Sequence, residues 1–98
     1  MTIEIKRNAD VTTIELAGRL DTTTAPALDK AINNDIGDTK KLVLNVKGLK
    51  YISSAGLRVL LSAQKKMRKI GSMKLTNVCE DIMEVFEMTG FSDILTIE

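Results

Sequence analysis

The chain contains no histidine, no tryptophan, one proline and a single cysteine, Cys79, among its 98 residues. Without histidine there is no Ser-His-Asp triad, no imidazole general base and no histidine-containing zinc site. A single cysteine excludes an intramolecular disulfide and a CxxC motif. Most hydrolase and metalloenzyme functions are thereby removed, so we expect a protein that is not an enzyme and needs no cofactor.

Charge and aromatic content argue against nucleic acid and membranes as partners. The chain has 14 basic and 13 acidic residues, a net charge of +1, whereas nucleic-acid-binding domains are strongly basic. One tyrosine and two phenylalanines leave little surface for stacking bases. The first ten residues carry four charges where a signal peptide needs an apolar run. We therefore expect a cytoplasmic protein with no direct nucleic-acid contact and no membrane insertion.

The first half of the chain alternates between strand and helix patterns. Apolar and polar residues alternate over 3–5 and again over 12–16, which predicts an antiparallel hairpin. Apolar residues at helical spacing after a threonine cluster predict a helix over about 24–35, with a threonine N-cap. The almost continuous apolar run 42–46 predicts a central strand, parallel to its neighbours and covered on both faces.

The second half of the chain repeats this alternation. The longest helix is predicted over 54–70, followed by Gly71 as a left-handed C-terminal residue. A strand over 73–78, a helix over 81–89 and a terminal strand over 94–97 complete the pattern.

These elements predict a single α/β domain over residues 1–98, in the order β-β-α-β-α-β-α-β. The sheet is small, mixed and mostly parallel, because only the opening hairpin is antiparallel. Right-handed crossovers between successive parallel strands place the helices on one face of the sheet.

The loop that opens the long helix is the most informative segment. Ser53, Ser54, Ala55 and Gly56 carry little side-chain bulk and follow the carboxyl end of a strand, where partner sites concentrate. A serine here has two possible roles: its hydroxyl caps the helix, or it is phosphorylated, because a helix N-terminus favours an anion. We expect Gly56 in the first helical turn, where the absence of a side chain lets a partner protein approach. The fold should therefore tolerate alanine at this position.

Four motifs carry a resemblance to a known family: Gly18-Arg19-Leu20-Asp21, Ser53-Ser54-Ala55-Gly56-Leu57, Leu75-Thr76-Asn77-Val78 and Met88-Thr89-Gly90-Phe91. With these motifs at these spacings, essentially the whole chain resembles the STAS-domain anti-sigma factor antagonists. The resemblance implies a regulatory protein that, unphosphorylated, sequesters an anti-sigma factor that is also a serine kinase. Phosphorylation of one serine releases that kinase, and a PP2C-type phosphatase reverses the modification.

The family usually has Asp-Ser-Ser-Gly-Leu in the central motif, with the first serine phosphorylated. Alignment of the Gly-Leu pair places Ser54 at the phosphoacceptor, while Ser53 replaces the aspartate and becomes a competing acceptor. Ala55 replaces the second serine.

We expect partner binding by the small-residue loop, the start of the long helix and the loop around Asp21, which matches a family position that contacts the partner. The expected partner-binding residues are Asp21, Thr22, Ser53, Ala55, Gly56 and Arg58. Asp21 has capping of the first helix as its alternative role. Arg58 lies one turn after Ser54 and either pairs with a phosphate there or is merely solvated. We expect a monomer when the protein is free. The competing hypothesis is a scaffold subunit of a transport or signalling assembly that uses the same fold without phosphorylation.

Overall fold

Two antiparallel strands open the chain, as the alternating pattern predicts. In the computed structural model, which covers residues 1–98, β1 spans Thr2–Asn8 and β2 spans Val11–Leu20. They are joined by a tight turn in which Ala9 has a positive φ of 55°. In β2 every second side chain is buried against the core, namely those of Thr12, Ile14 and Leu16.

Two further strands complete a four-stranded mixed sheet in the order β1-β2-β3-β4. Strand β3 spans Lys41–Ile52 and β4 spans Ser72–Thr76. Strand β3 is parallel to both β2 and β4, so the predicted central, parallel strand is confirmed. It is longer than the predicted 42–46 because the half-polar residues after Val46 continue the pairing with β2.

The helices lie on one face of the sheet, and the opposite face is open. In β3 the side chains of Leu42, Leu44 and Val46 are buried, whereas Val43 and Asn45 are half-buried on the other face. The prediction that this strand is covered on both faces was wrong. An apolar run that is interrupted by Asn45 and followed by Lys47 is typical of a strand with one buried face and one solvent-exposed face.

Three helices pack on that face: α1 over Ala25–Asn34, α2 over Ser54–Ile70 and α3 over Glu80–Thr89. All three predicted helices are confirmed to within one residue at each end. Their fully buried side chains share one core with the strands and include Leu28, Ile32, Leu60, Met67, Ile82 and Phe86. None of the helices combines the length and the apolarity that crossing a membrane requires.

Two glycines end the second and third helices in different ways. Gly90 after α3 is left-handed, with φ 82°. Gly71 after α2 has φ 173°, which is extended backbone, so its predicted left-handed conformation was wrong. Gly71 is needed for space instead, because a Cβ atom there would lie 1.8 Å from the Lys40 carbonyl oxygen. That oxygen accepts a 2.8 Å hydrogen bond from the N–H of Ser72.

The chain ends in a single bridge where a terminal strand over 94–97 was predicted. Phe91–Asp93 forms a 3-10 turn, and only Ile97 of the predicted strand pairs with the sheet. Leu75 of β4 then donates its N–H to the Thr96 oxygen and accepts from the Glu98 N–H, both at 2.9 Å. The element order is therefore β-β-α-β-α-β-α, with a one-residue parallel contact as its last step.

Candidate functional site

The carboxyl ends of β2 and β3 meet where α2 begins. Leu20 is paired with Ile52 in the parallel register, and the next residue, Ser53, donates its N–H to the Leu20 oxygen at 2.9 Å. The chain leaves β2 at Asp21 and enters α2 at Ser54. The two loops that the sequence singled out therefore lie beside each other, at the edge of the sheet where partner sites concentrate.

The two serines of the loop have opposite environments. Ser53 is the N-cap residue of α2, but its hydroxyl is buried and has no hydrogen-bond partner. Ser54 is the first residue of the helix and is exposed. The capping role predicted for these hydroxyls was wrong, because Ser53 makes no side-chain cap hydrogen bond. Ser53 as a competing phosphoacceptor stays a prediction, and its buried hydroxyl is less accessible than the exposed Ser54.

Asp21 holds the turn that leads into α1. Its Oδ1 accepts hydrogen bonds from the Thr23 N–H at 3.0 Å, the Thr23 hydroxyl at 2.8 Å and the Thr24 N–H at 3.2 Å. The Thr23 hydroxyl is the largest cause that lowers the pKa of Asp21. These hydrogen bonds give Asp21 a capping role, as considered from the sequence. Asp21 caps the turn that precedes α1 and is not the N-cap residue of the helix.

Thr24 is the N-cap residue of α1, as the threonine cluster predicts, but its side chain makes no cap hydrogen bond. Its hydroxyl donates instead to the Arg19 oxygen at 2.7 Å and accepts from the Asp21 N–H at 2.8 Å. Thr24 thereby fixes the loop between β2 and α1 to the end of β2.

Arg19 forms part of this edge, and sequence reasoning missed its role. Its guanidinium lies 4.1 Å from the centroid of the Tyr51 ring, and its Nε lies 3.7 Å from the Asp21 Oδ2. Arg19 and Tyr51 are paired in the β2–β3 register. Neither residue lies in a predicted strand, because the predicted strands ended at 16 and 46, so the pairing of Arg19 with Tyr51 could not be predicted from the sequence.

A groove of about 350 Å³ lies between α1 and α2 next to Ser54. Three of the predicted partner-binding residues line it together: Thr22, Ala55 and Arg58. Arg58 is exposed and forms no ion pair. Sequence reasoning missed the remaining lining residues, which are Ala25, Pro26, Asp29, Val59 and Ser62. Their spacing of three and four residues along two helices is the signal that could have identified them.

Gly56 is not part of the accessible surface. It lies in the first turn of α2, as expected, but it is buried. A Cβ atom there would lie 2.7 Å from Leu20 Cγ, 2.8 Å from Ile52 Cγ1 and 3.0 Å from the Leu20 oxygen. The expectation that Gly56 gives access to a partner was therefore wrong, because this glycine is required for packing of α2 against the strand ends.

Comparison with known proteins identifies the family. The family model described as "STAS domain" matches residues 2–98. The chain belongs to the STAS domain family. Among curated relatives, the anti-sigma-B factor antagonist of Bacillus subtilis (strain 168) is 30% identical over 96 residues, which cover 97% of this chain and 88% of that protein.

Solved structures show that the fold of this STAS domain is shared. An anti-sigma factor antagonist from Mycobacterium paratuberculosis superposes with a TM-score of 0.87 at 23% identity, covering 98% of this chain and 83% of that one. The Bacillus cell fate determinant SpoIIAA in its phosphorylated form superposes with a TM-score of 0.68 at 17% identity, covering 99% and 91% respectively.

Proposed function

We propose that this STAS domain is a regulatory binding protein that phosphorylation switches off. In its unphosphorylated form it sequesters an anti-sigma factor that is also a serine kinase, and phosphorylation of Ser54 releases that kinase. One observation carries the proposal: the Ser54 hydroxyl is exposed at the first position of α2, whereas the hydroxyl of its neighbour Ser53 is buried. The relatives named as anti-sigma factor antagonists supply the class of partner.

Physical chemistry favours a phosphate at Ser54 in the free protein. The kinase transfers the γ-phosphoryl group of ATP to the serine oxygen and releases ADP. The resulting ester carries a charge of about −1.5 to −2. At a helix N-terminus the unpaired N–H groups and the dipole stabilise a negative group by about 0.3–1 kcal/mol. The phosphorylated domain therefore stays folded, and a PP2C-type phosphatase regenerates the hydroxyl by hydrolysis to inorganic phosphate.

The same charge is unfavourable in the complex. The proposed partner surface is the groove between α1 and α2 together with the turn at Asp21, and it is lined next to Ser54 by small side chains, Thr22 and Ala55. A partner that fits a small hydroxyl must desolvate the phosphate, and taking an ion out of water costs several kcal/mol even when Arg58 pairs with it. That cost corresponds to two or more decades in affinity.

Arg58 contributes to the released state in this proposal. It lies at the spacing from Ser54 at which helix side chains meet, and no carboxylate occupies its guanidinium. An ion pair between Arg58 and the phosphate would also make the Arg58 guanidinium unavailable for contacts with the partner.

The test compares calorimetric binding of wild type, Ser54→Ala and Ser54→Asp to a purified anti-sigma-type serine kinase from the same genome. We expect Ser54→Ala to bind like wild type and Ser54→Asp to bind at least about 100-fold more weakly. After incubation with ATP, the intact mass of wild type should increase by one phosphate, and that of Ser54→Ala should not change. Ser72→Asp is the matched control, because Ser72 is exposed at the opposite end of the sheet.

Two results would contradict the proposal. If Ser54→Asp binds like wild type, or if Ser54→Ala still gains a full phosphate, Ser54 is not the switch. If several such kinases neither bind nor phosphorylate the wild-type chain, the scaffold hypothesis replaces the proposal.

A further inference from the structure

The two edges of the sheet differ in how they are protected. At the β4 edge, the chain's own C-terminal residues pair with Leu75 through two hydrogen bonds. At the β1 edge, nothing pairs with the outer side of Thr2–Asn8. On this outer side, the backbone N–H and C=O groups of every second residue of the seven-residue strand point away from β2.

Natural proteins usually blunt such an edge with proline, a β-bulge, a very short strand or a covering element. Strand β1 has none of these devices. It contains no proline, and its register with β2 runs without interruption from Thr2 opposite Ala17 to Asn8 opposite Val11. Charged side chains also protect edges. Lys6 bonds to Glu15 of the same chain at 3.0 Å, but its side chain is 65% exposed and so stays accessible to a second copy.

The sequence of β1 is complementary to itself in one antiparallel register. Side chains opposite each other on paired antiparallel strands lie on the same face, so a two-fold axis through one residue keeps both helix layers on one side. An axis at Glu4 puts the two glutamates opposite each other, and an axis at Lys6 does the same for the two lysines. An axis at Ile5 instead puts Glu4 of each copy opposite Lys6 of the other, twice.

Inside one copy, Glu4 forms no ion pair. Glu4 lies directly opposite Glu15 in the β1–β2 register, and like charges in that position are destabilising. The neighbouring Lys6 bonds to Glu15. Lys6 from a second copy would therefore give Glu4 a directly opposed positive charge, in addition to its attraction to Lys6 of its own strand, with which it forms no ion pair.

We propose that two copies of this chain associate through their β1 strands, antiparallel and centred on Ile5, to form one continuous eight-stranded sheet. The half-buried Ile5 side chains of the two copies then meet on the helix side, and the Glu4–Lys6 pairs lie on the open face. This interface contains no residue of the candidate site, so it is independent of the proposed function. It replaces the monomer that the sequence predicts for the free protein.

The dimer is a weak one. Two paired seven-residue strands bury less surface than the roughly 1,200 Å² at the lower end of stable interfaces. Association is therefore measured by sedimentation equilibrium from about 10 μM to about 1 mM chain, a range that covers transient complexes.

Charge reversal tests the register. We expect Glu4→Lys and Lys6→Glu each to raise the dissociation constant at least about tenfold, because each puts like charges opposite each other at two positions. The double variant Glu4→Lys/Lys6→Glu should return to within about threefold of wild type, since it exchanges the two partners. Lys69→Glu, which changes the same charge on the exposed end of α2, is the control and should dimerise like wild type.

Amide hydrogen exchange supplies a readout of the backbone. Protection of β1 amides should rise with protein concentration in wild type and in the double variant, and should not rise in the two single variants. A wild-type chain that remains monomeric at the highest concentration overturns the proposal. So does a dimer that Glu4→Lys leaves unchanged, or one whose concentration-dependent protection lies outside β1.

Discussion

Gly56 of α2 and Leu20 of β2 approach each other so closely that a methyl group on Gly56 would lie 3.0 Å from the Leu20 carbonyl oxygen. This contact brings the first turn of the longest helix onto the end of the second strand. Because Ser54 is two residues before Gly56, the same contact sets where the candidate phosphoacceptor lies relative to the turn at Asp21.

Replacement of Gly56 with alanine should destabilise the domain. Helix propensity favours alanine by about 1 kcal/mol, but overpacking in a filled site costs about 1–3 kcal/mol, and backbone at 3.0 Å cannot move away cheaply. We expect a fall in melting temperature of about 4–10 °C, measured by calorimetry. Ser62→Ala, an exposed position in the same helix, should melt at or slightly above the wild-type temperature. A Gly56→Ala variant that melts like Ser62→Ala would contradict the packing argument.

Replacement of Ser53 with alanine should stabilise the domain. The Ser53 hydroxyl is buried without a partner and makes no cap hydrogen bond, so its removal relieves a desolvation cost of about 1–3 kcal/mol. The urea midpoint should rise with an unchanged slope. Ser54→Ala, at an exposed position, should change the free energy of unfolding by no more than about 0.5 kcal/mol. A lower midpoint for Ser53→Ala than for Ser54→Ala would show that the Ser53 hydroxyl has a hydrogen-bond partner.

Asp21 should make stability depend on acid pH. Its pKa in the folded chain is lowered, first by the Thr23 hydroxyl. A carboxyl with a lowered folded pKa stabilises the fold above its unfolded pKa and loses that contribution as pH falls through the folded value. Stability measured between about pH 5 and pH 2 should fall less steeply in Asp21→Asn than in wild type. In Thr23→Val, an NMR titration should show a higher pKa for Asp21, and an unchanged pKa would remove Thr23 as the cause.

The two glycines at helix ends should differ in their tolerance of alanine. Gly71→Ala puts a Cβ atom 1.8 Å from the Lys40 oxygen, so the loop before β3 and the start of β4 must separate. Gly90→Ala meets nothing within 4 Å and costs only the left-handed backbone conformation, about 1–2 kcal/mol. We expect the melting temperature to fall at least twice as far in Gly71→Ala as in Gly90→Ala. Equal losses would show that the backbone at Gly71 relaxes freely.

Most of the fold could be predicted because the spacing of apolar residues along the sequence indicates which side of a helix or strand is buried. The helix bounds followed from such spacing, and the hairpin from alternation over 3–5 and 12–16. The two-sided burial predicted for 42–46 failed for a physical reason: Val43 is apolar yet lies on the open face. The apolar composition of a strand shows that both of its faces could be buried. It does not show whether the chain provides helices or a second sheet to cover the second face.

The candidate site was predictable in position but not in detail. The motif around Ser54 identified the loop, and Thr22, Ala55 and Arg58 line one groove. Which serine is exposed depends on how deeply the loop enters the core, and no local pattern contains that information. The function of Gly56 was missed for the same reason, since its neighbour Leu20 is distant in the sequence.

Ser53 is fixed on both sides of its backbone, because its N–H donates to Leu20 and its carbonyl oxygen accepts from the Leu57 N–H, each at 2.9 Å. The residue that follows is therefore presented by a rigid junction between strand and helix. A protein that docks there loses little conformational entropy from this chain, as in the association of two preformed surfaces. Variants of the junction that change the affinity of such a complex should consequently differ in how fast the complex dissociates, while the rate of encounter stays nearly constant.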